Sequence, residues 1–300
     1  MPASVPPLTP GLYLVATPIG NLSDITLRAL DVLRRVDRIA CEDTRQTQKL
    51  LNHFEIAKPT VSCYEHNERE RAAELVQALQ SGERIALVSD AGTPAISDPG
   101  AWLVRAAIAA GVSVIPIPGA NAALSALIAS GLPVGEFEFL GFLPEKAGAR
   151  RTFLEKLAAE QRETPRTLIF YEAPHRIAAT LSDIEQNWSP LLHAVVAREL
   201  TKIHEEFVRG TVAEVRQELA ARDRVRGEIT LLIEAPAASS RAATAPALRD
   251  AAEKIADRVA RIQAESGVDE KEALKRLARG LGRSKSELYR ELQRERAAKR

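Results

Sequence analysis

Arg84-Ile-Ala-Leu-Val88, followed by Ser89-Asp-Ala-Gly-Thr-Pro-Ala-Ile-Ser-Asp-Pro-Gly100, is the stretch on which the fold turns. A short aliphatic run bounded by charge reads as a buried parallel strand, and the Gly- and Pro-punctuated segment behind it reads as a loop at that strand's carboxyl end. In open α/β sheets, ligands bind at such ends. Gly92 lets the backbone come close to a ligand, Pro94 and Pro99 stiffen the turn, and Asp90 and Asp98 add negative charge. A rigid, small-residue, acidic loop suits a compact ligand that carries positive charge. Asp98 reads as a cap of a turn or helix start; for Asp90, at the strand tip, cap and ligand contact both stay open.

Working outward, the same unit recurs. Leu12 to Ala16 is a buried-strand candidate, Thr17-Pro-Ile-Gly-Asn21 a loop, and Ser23 the N-cap of a helix with Ile25, Ala29, Leu33 and Val36 on one face. Further strands are expected at 38–41, 59–64 and 112–116, with helices at 68–80, 102–110 and 122–130. Neither a dinucleotide fingerprint nor a P-loop occurs. This alternation predicts a mainly parallel sheet with right-handed crossovers. A second set of elements starts at Phe137, with a basic helix from Arg150, strands at 166–171, 193–197 and 227–234, and a helix ending near Glu185. The partial alternation of the last strand points to an antiparallel or mixed sheet. The expected organisation is an N-terminal α/β domain over 1–117, a second over 118–235, a linker over 236–247 rich in Ala, Ser and Pro, and a helical module over 248–300.

Composition limits the function classes. The 300 residues are 45% hydrophobic and carry a formal net charge of +1, so the chain as a whole is not a polycation. The charge is unevenly spread: residues 241–300 hold 16 Lys and Arg against 10 Asp and Glu, while residues 1–240 hold 25 against 30. The C-terminal basicity suits phosphate backbones. Within it, Asp269-Glu-Lys-Glu272 is an N-cap signature, Gly280-Leu-Gly-Arg283 reads as a turn, and Ser284-Lys-Ser-Glu287 is a capping box, together a helix-turn-helix-like pattern. Cys41 and Cys63 lack metal-ligand spacing, so no metal site is expected and a cytoplasmic, reducing setting is the default. Met1 to Pro10 has no signal-peptide pattern, and prolines and glycines break the uncharged stretch 106–135, so no membrane span is expected.

Seven segments, taken in order, carry a resemblance: 15–30 (VATPIGNLSDITLRAL), 41–51 (CEDTRQTQKLL), 89–100, 116–133 (PIPGANAALSALIASGLP), 171–176 (YEAPHR), 197–206 (ARELTKIHEE) and 227–234 (GEITLLIE). With these motifs the chain resembles the tetrapyrrole-methylase superfamily and, within it, the ribosomal branch that methylates a cytidine ribose 2′-hydroxyl in 16S rRNA of the small subunit. The resemblance implies two α/β domains with S-adenosylmethionine in the cleft between them, in a homodimer. It puts the donor against Pro18, Asp90, Ala91, Gly92, Thr93, Pro94, Pro118, Gly119, Ala120, Ser125, Tyr171 and Thr230. Precorrin methylases and diphthine synthase share the scaffold, so the fold leaves the substrate open.

Methyl transfer from a sulfonium to oxygen is an in-line displacement, helped by alignment and by a proton acceptor near the hydroxyl. Polar groups at the strand tips supply the candidates. Asp43 or Glu199 is expected to accept or orient the hydroxyl proton, while Arg45 and Lys202, with Arg176 and Arg198, bind phosphate and position the ribose. Glu42, His66, Asn67, His175, Arg176, Arg198 and His204 are expected to bind or position the RNA, whose target nucleotide has to leave its stack. Two other readings compete: methylation of a small tetrapyrrole, which calls for an apolar bowl, and a non-catalytic nucleic-acid adaptor, which leaves the Gly/Pro loops without a purpose.

Overall fold

The computed structural model describes residues 8–64, 67–160 and 163–235, and beyond them 255, 259–260, 262–263, 267–281, 288–290 and 292–293. The chain divides into two compact units, Met1–Ala235 and Pro236–Arg300.

The first unit holds two five-stranded sheets. In the first, β1 (Gly11–Val15), β2 (Arg38–Cys41), β3 (Thr60–Ser62), β4 (Arg84–Val88) and β5 (Val114–Ile117) lie in the order β3-β2-β4-β1-β5. All four pairings are parallel, and β4 is central. The continuous apolar run of β4 has a simple cause. Ala86 and Val88 face a core shared with Ala29, Val32 and Leu33 of α1 (Leu27–Arg35) and Leu51 of α2 (Thr44–His53). Ile85 and Leu87 face the opposite core, with Ala72, Leu75 and Leu79 of α3 (Glu68–Gln80) and Leu103 and Ala107 of α4 (Ala101–Ala109). A strand covered on both faces needs no polar alternation.

The second sheet is mixed. It orders β6 (Phe137–Phe142), β7 (Arg166–Glu172), β8 (His193–Arg198), β9 (Glu206–Thr211) and β10 (Ile229–Ala235) as β6-β7-β10-β8-β9, with β6–β7 parallel and the other pairings antiparallel. One face packs on α6 (Ala147–Ala159), α7 (Ile177–Asn187) and α8 (Val212–Ala220) around Phe170. On the other face lies α5 (Ala122–Ser130), whose Ala123, Ala126 and Leu127 join Ile169, Val195 and Leu232, together with Ile19 from the first half. α5 follows the last strand of the first sheet yet packs on the second, so the chain crosses between the halves at 118–121.

Local chemistry overrides the sequence reading at the first helix. Asn21, not Ser23, starts the structure by accepting from Ser23 N at 3.0 Å over a short 3₁₀ turn, and Thr26 caps α1 by accepting from Ala29 N at 3.0 Å. Ile25 and Val36 therefore flank the helix instead of lying in it. α2, β9 and α8 were not expected.

In the second unit, Asp269 accepts from Glu272 N at 2.8 Å ahead of the helix Glu270–Leu281, as its N-cap signature predicts. Gly280, expected in a turn, lies inside that helix. Ala273, Leu274 and Leu277 share a small core with Ile255, Val259, Leu288 and Leu292. The capping box at 284–287 and the linker at 236–247 lie outside the described residues. Among the described residues no helix is long and apolar enough to cross a membrane.

Candidate active site

A cavity of about 380 Å³ opens where the carboxyl ends of the first sheet meet the second sheet. Its floor on the first half is the loop after β4, through Ala91, Gly92 and Thr93. That loop is tied to the loop after β1 by a pair of backbone bonds, Thr17 N to Gly92 O at 2.8 Å and Gly92 N to Thr17 O at 3.1 Å. It is tied to α5 by Thr93, whose Oγ1 donates to Ala120 O and accepts from Asn121 Nδ2, both at 3.2 Å. Asn121 also caps α5, its Oδ1 accepting from Leu124 N at 3.0 Å. The opposite wall is Tyr171, Thr230 and Glu228 from the second sheet.

The floor loop is held in a costly conformation. Ala95 and Ser97 have φ of 66° and 60°, a left-handed backbone that costs a non-glycine residue roughly 1–2 kcal/mol. Within this loop Asp98 faces the cavity. Burial raises its pKa to about 6, and the carboxylates of Glu42 and Asp90 push the same way. Asp98 does not cap α4, contrary to its sequence reading. Glu68 of α3 does so from 32 and 34 positions away, its Oε1 accepting from Gly100 N at 2.9 Å and Trp102 N at 2.7 Å.

Two ionic clusters stand at the rim. Lys202 Nζ donates to Glu199 Oε1 at 2.8 Å and to Glu228 Oε2 at 2.9 Å, and Glu199 Oε1 also accepts from Glu228 N at 3.0 Å. Lys202 and the Glu228 amide hold the Glu199 carboxyl below its ordinary pKa. Glu199 itself has φ 52°, and a Cβ at Gly227 would overlap its side chain, so glycine is required at that crossing. In the second cluster Glu206 accepts from Arg222 Nη2 at 2.6 Å and from Arg198 Nε at 3.0 Å. Arg222, with help from Arg198, lowers the Glu206 pKa to about 2. A depressed carboxylate stabilises the fold above its unfolded pKa, here 4.5, and loses that contribution as pH falls through the folded value. Glu206→Gln is therefore expected to cost about 2 kcal/mol in urea unfolding at pH 7, after allowance for partial solvent screening, with the gap to wild type closing between pH 4.5 and 2. A gap that stays constant over that range would rule out the ion pairs as its cause.

The structure gathers only some of the expected residues around the cavity. Ala91, Gly92, Thr93, Tyr171 and Thr230 line it. Pro18 and Pro94 are buried beside it, Ser125 lies along α5, and the chain reaches the cavity through Asn121 and Ala122 instead of Pro118, Gly119 and Ala120. Gly119 serves a different close approach, since a Cβ there would sit 2.9 Å from the Ala16 Cβ. Asp90 braces the neighbouring loop by accepting from Asp43 N at 3.2 Å.

The described proton-acceptor and RNA-contact candidates are not among the residues that line the cavity. Asp43 caps α2 by accepting from Arg45 N at 2.8 Å and pairs with Arg45 Nη2 at 2.9 Å, which lowers its carboxyl pKa to about 2. Glu199 is bonded to Lys202 through Oε1, and neither carboxylate is among the residues that line the cavity. Arg176 donates to Glu172 and, at 2.9 Å, to Leu143 O, and Arg198 donates to Glu206 and, at 3.1 Å, to Arg226 O. Asn67 closes a turn, accepting from Tyr64 N at 2.8 Å. His175 and His204 are exposed, Glu42 lies half-buried after β2, and His66 lies outside the described residues. Sequence reasoning missed Asp98, Asn121, Phe142 and Glu228 as cavity residues, while Glu172, a strand-tip candidate, does line the cavity. For Phe142 the alternation Phe137-Glu-Phe139 gave no signal, since the strand register shifts between Phe139 and Phe142.

Two sheets share a cavity at their strand ends, its walls built of small and large apolar residues with the carboxylates Asp98, Glu172 and Glu228, a two-lobed α/β arrangement of a size to hold a small ligand. Comparison with known proteins specifies the class. Residues 11–216 match the family model of tetrapyrrole (corrin/porphyrin) methylases. Among curated relatives, the ribosomal RNA small subunit methyltransferase I of Halalkalibacterium halodurans is 54% identical over 228 residues, covering 74% of this chain and 75% of the relative. The protein of the same name from Pasteurella multocida is 53% identical, covering 76% and 80%. Among solved structures, diphthine synthase superposes with a TM-score of 0.54 at 16% identity over 75% of this chain and 89% of that one. A uroporphyrin-III C-methyltransferase from Thermus thermophilus, complexed with S-adenyl homocysteine, gives 0.51 at 18% over 77% and 99%. The chain belongs to the tetrapyrrole methylase family.

Proposed function

We propose that the chain is an S-adenosylmethionine-dependent methyltransferase that modifies the 2′-hydroxyl of a cytidine in 16S rRNA of the small ribosomal subunit. The observation that carries this reading is the cavity after β4, in a chain more than half identical to relatives named as small-subunit rRNA methyltransferases. The residues present fit the donor. Gly92 has φ 86° and an added Cβ would lie 3.3 Å from Ile19 Cγ2, so the bare backbone forms a cradle where a side chain would intrude. Glu199 and Glu228 share the single ammonium of Lys202, which leaves at the cavity wall the negative charge that a sulfonium ion favours. When bound, the donor supplies an electrophilic methyl group.

In this reading Ala91 to Thr93 and Thr230 hold the donor, and the two halves 1–117 and 118–235 act as domains that exclude water from it. Phe142, 61% exposed at the cavity and 5.6 Å from the Tyr171 ring, offers an aromatic face for a base turned out of its stack. The exposed His175 and His204 flank the RNA path. The surplus of basic residues beyond position 240 grips phosphates without regard to sequence. Leu124 and Ile128, one turn apart on α5 and exposed by 48% and 79%, support a homodimer that covers them. A cytoplasmic location follows from the substrate.

Removal of residues 240–300 is expected to weaken RNA binding and flatten its salt dependence while leaving donor affinity unchanged; an unaltered salt slope in filter binding would contradict the phosphate role. The reading as a whole is tested with methyl-labelled donor and small subunits from cells lacking the gene. The label is expected in one alkali-stable dinucleotide of 16S rRNA, the mark of a blocked 2′-oxygen. Label on a base, or none in rRNA, would overturn the reading.

A further inference from the structure

Asp98 stands apart from the other acidic groups around the cavity. Asp43, Glu199 and Glu206 are each engaged by arginine or lysine. Glu172, also on the cavity wall, accepts from Ala173 N, Arg176 Nε and Thr180 Oγ1. Asp98 makes no ion pair with a described residue, and its capping task is taken over by Glu68. What holds it in position is the loop itself. Ser97 is fixed at φ 60° before it, Pro99 follows, and Gly100 at φ 126° turns the chain into α4. A Cβ at Gly100 would sit 2.6 Å from Leu87 Cδ2, so the turn is pressed against the core of β4 and has little freedom. Strain stored in a loop around one cavity-facing carboxylate that lacks an ion pair with a described residue is the arrangement expected of a working group.

We propose that Asp98 is the proton acceptor for the ribose hydroxyl that becomes methylated. This rests on the reading of the protein as a ribose methyltransferase. In the step, the hydroxyl oxygen forms a bond to the methyl carbon while the carbon–sulfur bond breaks, and its electron pair stays on sulfur to leave a neutral thioether. The hydroxyl proton passes to the Asp98 carboxylate and from there to solvent. Charge is conserved: one cation and one carboxylate give neutral products. The groups that face Asp98 are Glu42 from the loop after β2, Asp90 and Ser89 from the loop after β4, and Tyr171 from β7. Only the Ser89 hydroxyl, as a donor, favours the ionised form. The carboxylate is therefore kept basic, yet ionised near neutral pH, as general-base catalysis requires.

The variant to compare is Asp98→Asn in the full-length protein. Turnover is expected to fall by about 10²–10³-fold with donor affinity by calorimetry held within about threefold, and the acidic limb of the wild-type rate profile, centred near pH 6, should vanish. Two readouts do not depend on activity. In carboxyl-labelled protein, carbon NMR should show one group titrating near pH 6 that is missing from the variant. Because a raised carboxyl pKa costs stability above the unfolded value of 3.8 and fully so above the folded one, Asp98→Asn should melt higher than wild type at pH 8 and equally at pH 3.5. Loss of donor affinity in step with turnover would make Asp98 a sulfonium contact and overturn the inference, as would an acidic limb that survives in the variant. Failure of wild-type protein to methylate ribose would instead remove the functional reading beneath it.

Discussion

Glu172→Ala is expected to cost the folded protein about 3–5 kcal/mol, the largest stability effect of any single substitution near the cavity. The Glu172 side chain is wholly buried at the end of β7, and Arg176 beside it is 14% exposed. Its two oxygens are fully used: Oε1 accepts from Ala173 N and Arg176 Nε, both at 2.8 Å, and Oε2 accepts from Thr180 Oγ1 at 2.6 Å. Removal of the carboxylate leaves a guanidinium in apolar surroundings with only Leu143 O as acceptor. It also frees a backbone amide and a hydroxyl, each worth about 1–3 kcal/mol when left unpaired. Glu172→Gln, which keeps the shape and some of the hydrogen bonds, should cost less. Urea unfolding of the three proteins checks this; a loss below about 1 kcal/mol for the alanine variant would show that the network relaxes and is not essential.

Gly92→Val is expected to weaken donor binding by at least about 100-fold, or about 2.7 kcal/mol, with RNA affinity retained. At φ 86° a β-branched residue is strained whatever space surrounds it. Here there is little space, because the new Cβ lies 3.3 Å from Ile19 Cγ2 and 3.7 Å from Ala120 O before any methyl group is added. The backbone cannot swing aside cheaply, since Gly92 N and O are both bonded to Thr17. Strain is relieved only by movement of the loop that floors the cavity. Gly92→Ala should show a smaller loss in the same direction. Calorimetry that finds valine binding the donor within about threefold of wild type would mean that the cradle lies elsewhere.

These two sites also mark what the sequence could and could not reveal. Gly92, in a Gly- and Pro-punctuated loop behind the β4 run, was legible because φ-permissive residues at a strand end follow a local rule. The parallel strands were legible for the same reason: Ile85 to Val88 is buried on both faces and needs no polar break. α2 was hidden because only Thr47 and Leu51 of Thr44–His53 are buried, too few to set a helical period. β9 was hidden because it is an edge strand in which only Val208 is buried. The polar groups were hardest to assign. Arg176, Arg198 and Asp43 look like free rim charges in sequence, and in three dimensions each is held by a partner that periodicity does not specify. Asp98 was mistaken for a cap because the true cap, Glu68, comes from another helix. Residue type and loop position could be read; side-chain direction and pairing are tertiary facts.

The electrostatics follow the same division. The rim carboxylates are paired with cations, as at Glu199 and Glu228, which share the Lys202 ammonium, and at Glu206, which is held by Arg198 and Arg222. The cavity behind the rim keeps Asp98 uncompensated.

The most direct measurement is a crystal structure of the full chain grown with S-adenosylhomocysteine, the demethylated form of the donor. The ligand should occupy the cavity between the two sheets, with its sulfur on the Asp98 side and its remaining polar groups against the backbone of Ala91 to Thr93. A ligand bound elsewhere, or a cavity that stays empty at saturating concentration, would contradict the assignment of this crevice to methyl transfer.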